Sequence, residues 1–349
     1  MFTMTILLIF TSNLKYAAYI LFALSVEPIV VRTATVVQPA GGVPSILSKP
    51  IDVKQEAINV NLLVSNNNLD GIAALLASKT NEQRQKIKIE YQQDYSHSLD
   101  QDLSGKTKKT YERLMDALLQ PLPEFMARMI NWSLEQSKNW LYMSIICTSS
   151  GELLKQIADA YYSAFNTQLI DELCNKMNDV NGLNVVATII NYIPGSNNTE
   201  LFPGPRPDTT EVAEDLAKTQ ISCIPERYGY CSVQENPQLF DLLSKSSFAQ
   251  IRAVVSAYQA KTMVSVETQM RTYCNGDLNE AYARIVRYAM NPVGYWTTEI
   301  YEAMAQKHTD DRALTLAILY RSEIDLATIR DTFNVNYRNV LSDFIKGHC

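Results

Sequence analysis

The sequence predicts an all-α protein built from four similar units, and three observations carry that reading. One side-chain pattern occurs four times, as Ile87-Tyr91-Tyr95-Leu99-Leu103, Ile157-Tyr161-Phe165-Leu169-Leu173, Val254-Tyr258-Thr262-Val266-Met270 and Ile329-Phe333-Tyr337-Leu341-Ile345. The copies are offset by 70, 97 and 75 residues, and each recurs every fourth residue over 17 positions, which marks one face of one or two helices. Self-similarity at such a period is the signature of a repeat architecture. A second apolar-periodic segment stands before each copy, and a third follows the first three. The chain also holds only 12 Gly, about 3% against a usual ~7%, a shortage that suits helices better than sheet turns or phosphate-cradling loops.

Taken in order, residues 1–51 form a hydrophobic N-terminus and a linker. Tyr16 to Val26 is an 11-residue apolar run behind Lys15, with small residues at Ala23-Leu24-Ser25. Residues 16–26 read as a secretory signal, as a membrane anchor or as an extension outside the fold. Residues 27–50, with Pro28, Pro39, Pro44 and Pro50, read as linker. The first repeat is placed at 52–122, with helices near Leu69–Ser78 and Glu112–Leu119 around the patterned segment. The second, 123–192, has them near Trp140–Cys147 and Asn184–Tyr192. The Pro-rich stretch Ile193 to Asp208 is placed as a linker over 193–208 and accounts for the long offset. The third repeat is placed at 209–292, with helices near Pro237–Leu243 and Asn279–Met290. The fourth, 293–349, has one near Asp311–Leu319 and lacks a final helix, which should leave apolar surface on that repeat and makes an oligomer an option. Thr80 and Ser322 are expected as hydroxyl N-caps followed by an acid in the first turn, and Asp310-Asp311 as helix N-terminal charges.

The chain has 349 residues, 46% hydrophobic and 19% charged, enough to bury a large core. A net charge of −6 gives no support for a nucleic-acid partner. Three His and six Cys with no Cys-x-x-Cys spacing offer little to a zinc site. The even Cys count permits disulfides, but scattered Cys of this kind read first as small buried hydrophobes.

Local residues resemble the annexin family. Arg321-Ser322-Glu323-Ile324-Asp325-Leu326 with Ile329-Arg330 is similar to the fourth annexin repeat, Ala77-Ser78-Lys79-Thr80 through Asp100 to the first, and Gln156-Ile157 through Leu173 to the second; the third repeat drifts most. The resemblance covers roughly residues 52–349. It implies about five short helices per repeat and calcium-dependent binding to anionic phospholipid. In that family each calcium is held by a Gly-x-Gly-Thr loop and an Asp or Glu some 38–40 residues later, because calcium takes six to eight oxygens and glycine lets carbonyls converge. Here the loop positions read Val64-Ser65-Asn66-Asn67, Leu134-Glu135-Gln136-Ser137, Ser232-Val233-Gln234 and Gln306-Lys307-His308-Thr309. The acid positions read Lys106, Asp179, Tyr273 and His348, so Asp179 is the one vestigial metal candidate. Calcium remains a possible ligand, but no cofactor is required. Glycine-poor loops and several cysteines are also similar to the alpha-giardins, a protist subgroup tied to membrane and microtubule cytoskeleton.

Other motifs point less far. Ser104-Gly105-Lys106-Thr107 looks like the end of a phosphate loop but has Asp100 where a glycine is needed, so an interhelix turn is the better reading. Lys106, Lys108 and Lys109 form a basic cluster that is either a solvated face or a contact for lipid phosphate or an acidic protein. Trp132 and Trp140 flank the second-repeat loop and are either packed or interfacial anchors. Asn131 and Asn197 head glycosylation sequons that matter only for an exported chain. No Cys–His or paired-acid arrangement supports an enzyme. The expected function is a peripheral scaffold on the cytoplasmic face of a membrane, binding anionic phospholipid with weakened or lost calcium dependence. The alternatives are a cytoskeleton-linked structural protein working through protein contacts, and a secreted or membrane-anchored form.

Overall fold

A computed structural model describes residues 42–104, 109–177, 221–226, 231–232 and 234–348, with isolated positions at 186, 187 and 217. Among the described residues there are seventeen α-helices, one short 3-10 turn and no strand. Contacts divide the chain into two compact units, one made of residues 1–121 and 296–349 and the other of 122–295.

The first unit opens with α1 (Val53–Ser65), α2 (Leu69–Ala77), α3 (Asn81–Tyr95), α4 (Leu99–Leu103) and α5 (Lys109–Leu119). Thr80 starts α3 through a capping box, accepting from the Gln83 amide at 3.2 Å while Gln83 Oε1 accepts from the Thr80 amide at 3.0 Å. Ser96 ends α3 in the left-handed region at φ 62°. Ser98 then starts α4 with a second capping box. The patterned segment is thus two helices with a reversal between them. Ile87, Tyr91, Leu99 and Leu103 are buried, whereas Tyr95, the last residue before the reversal, is only half-buried. The face of α3 turned to α5 closes that helix's C-terminus. Arg84 Nε donates to the Leu118 carbonyl at 2.7 Å, and Gln85 Nε2 and Lys88 Nζ donate to the Leu119 carbonyl at 3.2 and 2.7 Å. Cationic donors are favourable there because the last carbonyls carry the negative end of the helix dipole. Burial still lowers the Arg84 pKa to about 10, with Glu323 pulling the other way.

The same unit contains most of α14 (Pro292–Ala305), and α15 (Asp311–Arg321), α16 (Leu326–Tyr337) and α17 (Leu341–His348). Asp310 caps α15, accepting from the Ala313 amide at 3.1 Å, and Asp311 sits in its first turn, as the sequence suggested. Ser322 departs from expectation. Its hydroxyl donates back to the Leu319 carbonyl, and α16 begins only after Asp325. Asp325 does not cap either, because Arg321 takes both of its oxygens at 2.8 and 2.7 Å, the two side chains each 3% exposed. The Arg321 guanidinium also lies 5.8 Å from the Trp296 ring and 5.0 Å from the Tyr320 ring. The missing cap comes from far upstream. The Val43 carbonyl accepts from the Ala327 amide at 3.0 Å, and Ser322's carbonyl accepts from the amides of Ser45 and Ile46 at 2.9 and 3.0 Å. Val43's amide donates to Thr328 Oγ1 at 2.7 Å, and Gln83 Nε2 donates to the Lys49 carbonyl at 2.6 Å. Residues 42–50, read as linker from the sequence, therefore form a bound strap with Ile46 buried. A Cβ at Gly42 would stand 2.5 Å from Asp325 Cβ, so the strap needs glycine there. In the fourth patterned segment Phe333, Leu341 and Ile345 are buried, while Val335 and Val340 remain exposed.

The second unit holds α6 (Leu122–Glu135), α7 (Asn139–Thr148), α8 (Gly151–Phe165) and α9 (Leu169–Lys176). It continues with a 3-10 turn at Ile221–Cys223, then α10 (Pro237–Lys245), α11 (Phe248–Thr262), α12 (Val266–Tyr273) and α13 (Gly276–Met290). Ser150 and Ser247 start α8 and α11, at the offsets from Thr80 that the side-chain pattern shows. Asn166 and Met263 end them in the left-handed region, at φ 53° and 58°. Helix α13 packs against α7, α11 and α12, and Arg284 on α13 donates to Ser144 Oγ at 2.7 Å and Tyr295 Oη at 2.8 Å. Of the helix expected near Asn184–Tyr192 only residues 186 and 187 are described, both helical; the linker over 193–208 and residues 1–41 lie outside the described residues.

Each buried patterned tyrosine finds a polar partner. Tyr91's hydroxyl meets Asp102 Oδ2 at 2.5 Å and Asn61 Oδ1 at 3.3 Å; Tyr161's donates to Asn131 Oδ1 at 3.0 Å; Tyr258's accepts from Gln269 Nε2 at 3.2 Å. Burial first, and nearby carboxylates second, push the Tyr161 phenol up to about 12, and the same causes raise Tyr91. A neutral donor left without its partner costs more than the bond contributes. Tyr91→Phe is expected to destabilise the protein by about 1–2 kcal/mol in urea unfolding, the scale of one such bond. Asp325→Asn, which leaves the Arg321 charge buried without its counterion, should cost roughly 3–5 kcal/mol in the same measurement.

Candidate functional site

For an ion or a lipid headgroup, the resemblance points to the corners ahead of α2, α7, α10 and α15. They face the same test, whether loop carbonyls and an acid are left over to meet a cation. In the first corner the carbonyls of Leu62, Leu63 and Val64 accept from the amides of Asn66, Asn68 and Asn67. Asn67 adopts φ 51°, and Asn68 spends its side-chain oxygen on the Gly71 amide at 2.9 Å. The second corner repeats this 70 residues on. Ser137 adopts φ 54°, and the carbonyls of Trp132, Ser133 and Leu134 accept from Gln136, Lys138 and Ser137. Ser133 Oγ donates to the Lys138 carbonyl, and the Lys138 ammonium lies 5.0 Å from the centroid of the Trp132 ring.

The third corner runs from Cys231 to Asn236. The Ser232 carbonyl accepts from the Asn236 amide at 2.9 Å, and the Ser232 hydroxyl is hydrogen-bonded to the Glu235 carboxylate. Asn236 uses both ends of its amide, accepting from the Leu239 amide at 3.0 Å and donating to the Cys223 carbonyl at 2.6 Å. Cys231 is joined to Cys274, at the junction of α12 and α13, by a disulfide with Cα atoms 5.5 Å apart. Of the remaining described cysteines, Cys147 and Cys223 are buried and Cys174 is exposed. In the fourth corner the Asp310 amide donates to the Ala303 carbonyl at 2.7 Å, and the Asp310 side chain caps α15. Burial and the neighbouring Asp310 raise the Asp311 pKa, and Arg113 opposes them.

The residues present do not fit a family calcium cage. Glycine is absent from the corners, the carbonyls of Leu62 to Val64, Trp132 to Leu134, Ser232 and Ala303 serve the chain's own turns, and one corner carries an ammonium and another a covalent crosslink. Among the described residues no three His, Cys, Asp or Glu side chains stand together to hold a metal. Asp179, Lys106 and Lys108 lie outside the described residues, and Lys109 opens α5 without a described side chain. Trp132 and Trp140 are both half-buried at the second corner, which is where the sequence placed them. What sequence reasoning missed is Lys138, whose only signal was its place between the two tryptophans, and the Cys231–Cys274 pair.

The helical order of each repeat and the reversals that recur with it define a four-repeat α-helical scaffold. A family model described as Annexin matches residues 68–118. Mouse annexin A13 is 29% identical over 278 residues, covering 78% of this chain and 83% of that protein. The solved structure of annexin III aligns at a TM-score of 0.77 and 22% identity, covering 88% of this chain and 94% of that one. The calcium-bound structure of alpha-14 giardin aligns at 0.64 and 15% identity, covering 85% and 99%, a likeness that bears on the fold alone. The chain is similar to annexins over most of its length. Among the described residues no helix is long and apolar enough to cross a membrane.

A calcium titration tests the fit directly. A site with free calcium at one hundred times its Kd would add about 2.7 kcal/mol to the folded state, several degrees in thermal midpoint. The expected shift on replacing chelator with 1 mM calcium is below about 1 °C, the level set by no site binding more tightly than the millimolar range.

Proposed function

We propose that this annexin-like protein is a peripheral, non-enzymatic scaffold that meets anionic phospholipid through fixed side-chain charge, with calcium dependence weakened or lost. The observation that carries the reading is the second corner, where Lys138 stands over Trp132 with Trp140 nearby. A basic side chain close to an anionic surface contributes about 1 kcal/mol. Tryptophan suits the same interface, since its ring prefers the headgroup level. The ammonium supplies at this corner the positive charge that a bridging cation supplies in a calcium-dependent relative. Lys106, Lys108 and Lys109 are kept in this reading as a second contact of the same kind, and Asp179 as a vestige with no role.

Co-sedimentation of the full chain with phosphatidylserine vesicles separates the readings. Binding should be comparable in calcium and in chelator, and should fall as salt is raised. Lys138→Glu should weaken it by about tenfold or more, since a favourable charge of about 1 kcal/mol becomes a repulsive one. Pelleting that requires calcium would overturn the loss of dependence. Failure to pellet in either condition, with binding to microtubules instead, would favour the cytoskeletal alternative.

A further inference from the structure

We infer that the third corner is a thiol–disulfide clasp, in which a covalent bond joins the two loops that the family joins with a metal, so that the corner answers to reductant and not to calcium. The geometry is local to the second unit. Cys231 lies in the turn ahead of α10, and Cys274 ends α12, its amide donating to the Met270 carbonyl at 2.8 Å. The bond links residues 43 positions apart. Among the described residues no other covalent tie holds that turn, and its remaining order follows from Cys231 outward. Ser232 receives the Asn236 amide, Asn236 caps α10 through Leu239, and the same Asn236 amide group fixes the Cys223 carbonyl. The 3-10 turn at Cys223 in turn packs against α11. One bond thus sets the position of α10's start, the 221–226 segment and the α12–α13 junction together.

Opening the clasp is a balanced exchange. A dithiol reductant transfers two electrons and two protons to the Cys231–Cys274 bond, leaving two thiols here and a disulfide on the reductant. Cys223 does not compete in that exchange. Burial pushes its thiol up to about 12, so it stays protonated, and the thiolate is the attacking species. Such bonds persist in oxidising compartments and are reduced in the cytosol. The corner is therefore closed for a chain outside the cytosol and open for one inside it. The inference does not rest on lipid binding.

Hydrogen exchange on the full chain, read by peptide mass spectrometry, tests it. Protein prepared without reductant should yield the Cys231–Cys274 crosslinked peptide pair. Adding a phosphine reductant should raise exchange in residues 231–240 and 263–276 by tenfold or more, while α8 keeps its protection. Cys231→Ser with Cys274→Ser should show the raised exchange with or without reductant, and millimolar calcium should restore nothing. The inference is overturned by the absence of the crosslinked pair, by unchanged exchange on reduction, or by calcium re-protecting the reduced corner. Should the double variant fail to fold, the reduced native chain, checked by α8's retained protection, gives the same decision.

Discussion

The reversal between the third and fourth helices of each repeat is the constraint on which the rest of this fold depends. Four residues, Ser96, Asn166, Met263 and Arg338, enter the left-handed region at φ 62°, 53°, 58° and 53°. None is glycine, and a residue with a Cβ is held in that region only where the surroundings over-determine it. Here the over-determination is visible on both sides of each turn. A buried aromatic or valine face precedes it, and a buried pair such as Leu99 and Leu103, or Leu341 and Ile345, follows. The turn lets both helices lay the same apolar face on one core. Each repeat must therefore keep its core to keep its turn.

That constraint explains what was legible in the sequence. The core face is strictly periodic, so Ile87, Tyr161, Met270 and Phe333 could be assigned by spacing alone. The left-handed break was hidden because a spacing of four runs straight through it; its one trace is the half-exposure of Tyr95, Phe165, Thr262 and Tyr337. Ser322 was misread because a hydroxyl at a helix start is only a local signal. The side chain that should have followed it, Asp325, is claimed by Arg321, and the cap arrives from Val43, 285 residues away from its Thr328 partner. The Cys231–Cys274 bond was illegible for a similar reason. Its spacing of 43 matches no motif, and only the fold brings the two ends together.

The corners show how a turn is held by the chain's own groups. A helix-to-helix turn must satisfy its own amides whether or not it holds an ion. In the first two corners Asn67 and Ser137 do this, with the last carbonyls of α1 and α6 turned inward to the chain. In the third, a crosslink and a doubly used Asn236 do it. In each corner the chain's own groups make the hydrogen bonds that shape the turn, and the surface charge differs from corner to corner. Lys138 over Trp132 is one such outcome, and the acidic side chain of Glu235 beside Ser232 is another.

The strap at residues 42–50 and the split of the first unit have a consequence in time. That unit is built from two stretches of sequence, one before and one after residues 122–295. On the ribosome the enclosed unit emerges entire while α1 to α5 still wait for α15 to α17. The cap on α16, the Asn81 amide's bond to Glu323 at 2.6 Å and the Gly42 contact with Asp325 can form only after residues 323–328 have been made. The half that is translated first is thus completed last, and the early helices spend the longest interval of synthesis with their apolar faces uncovered.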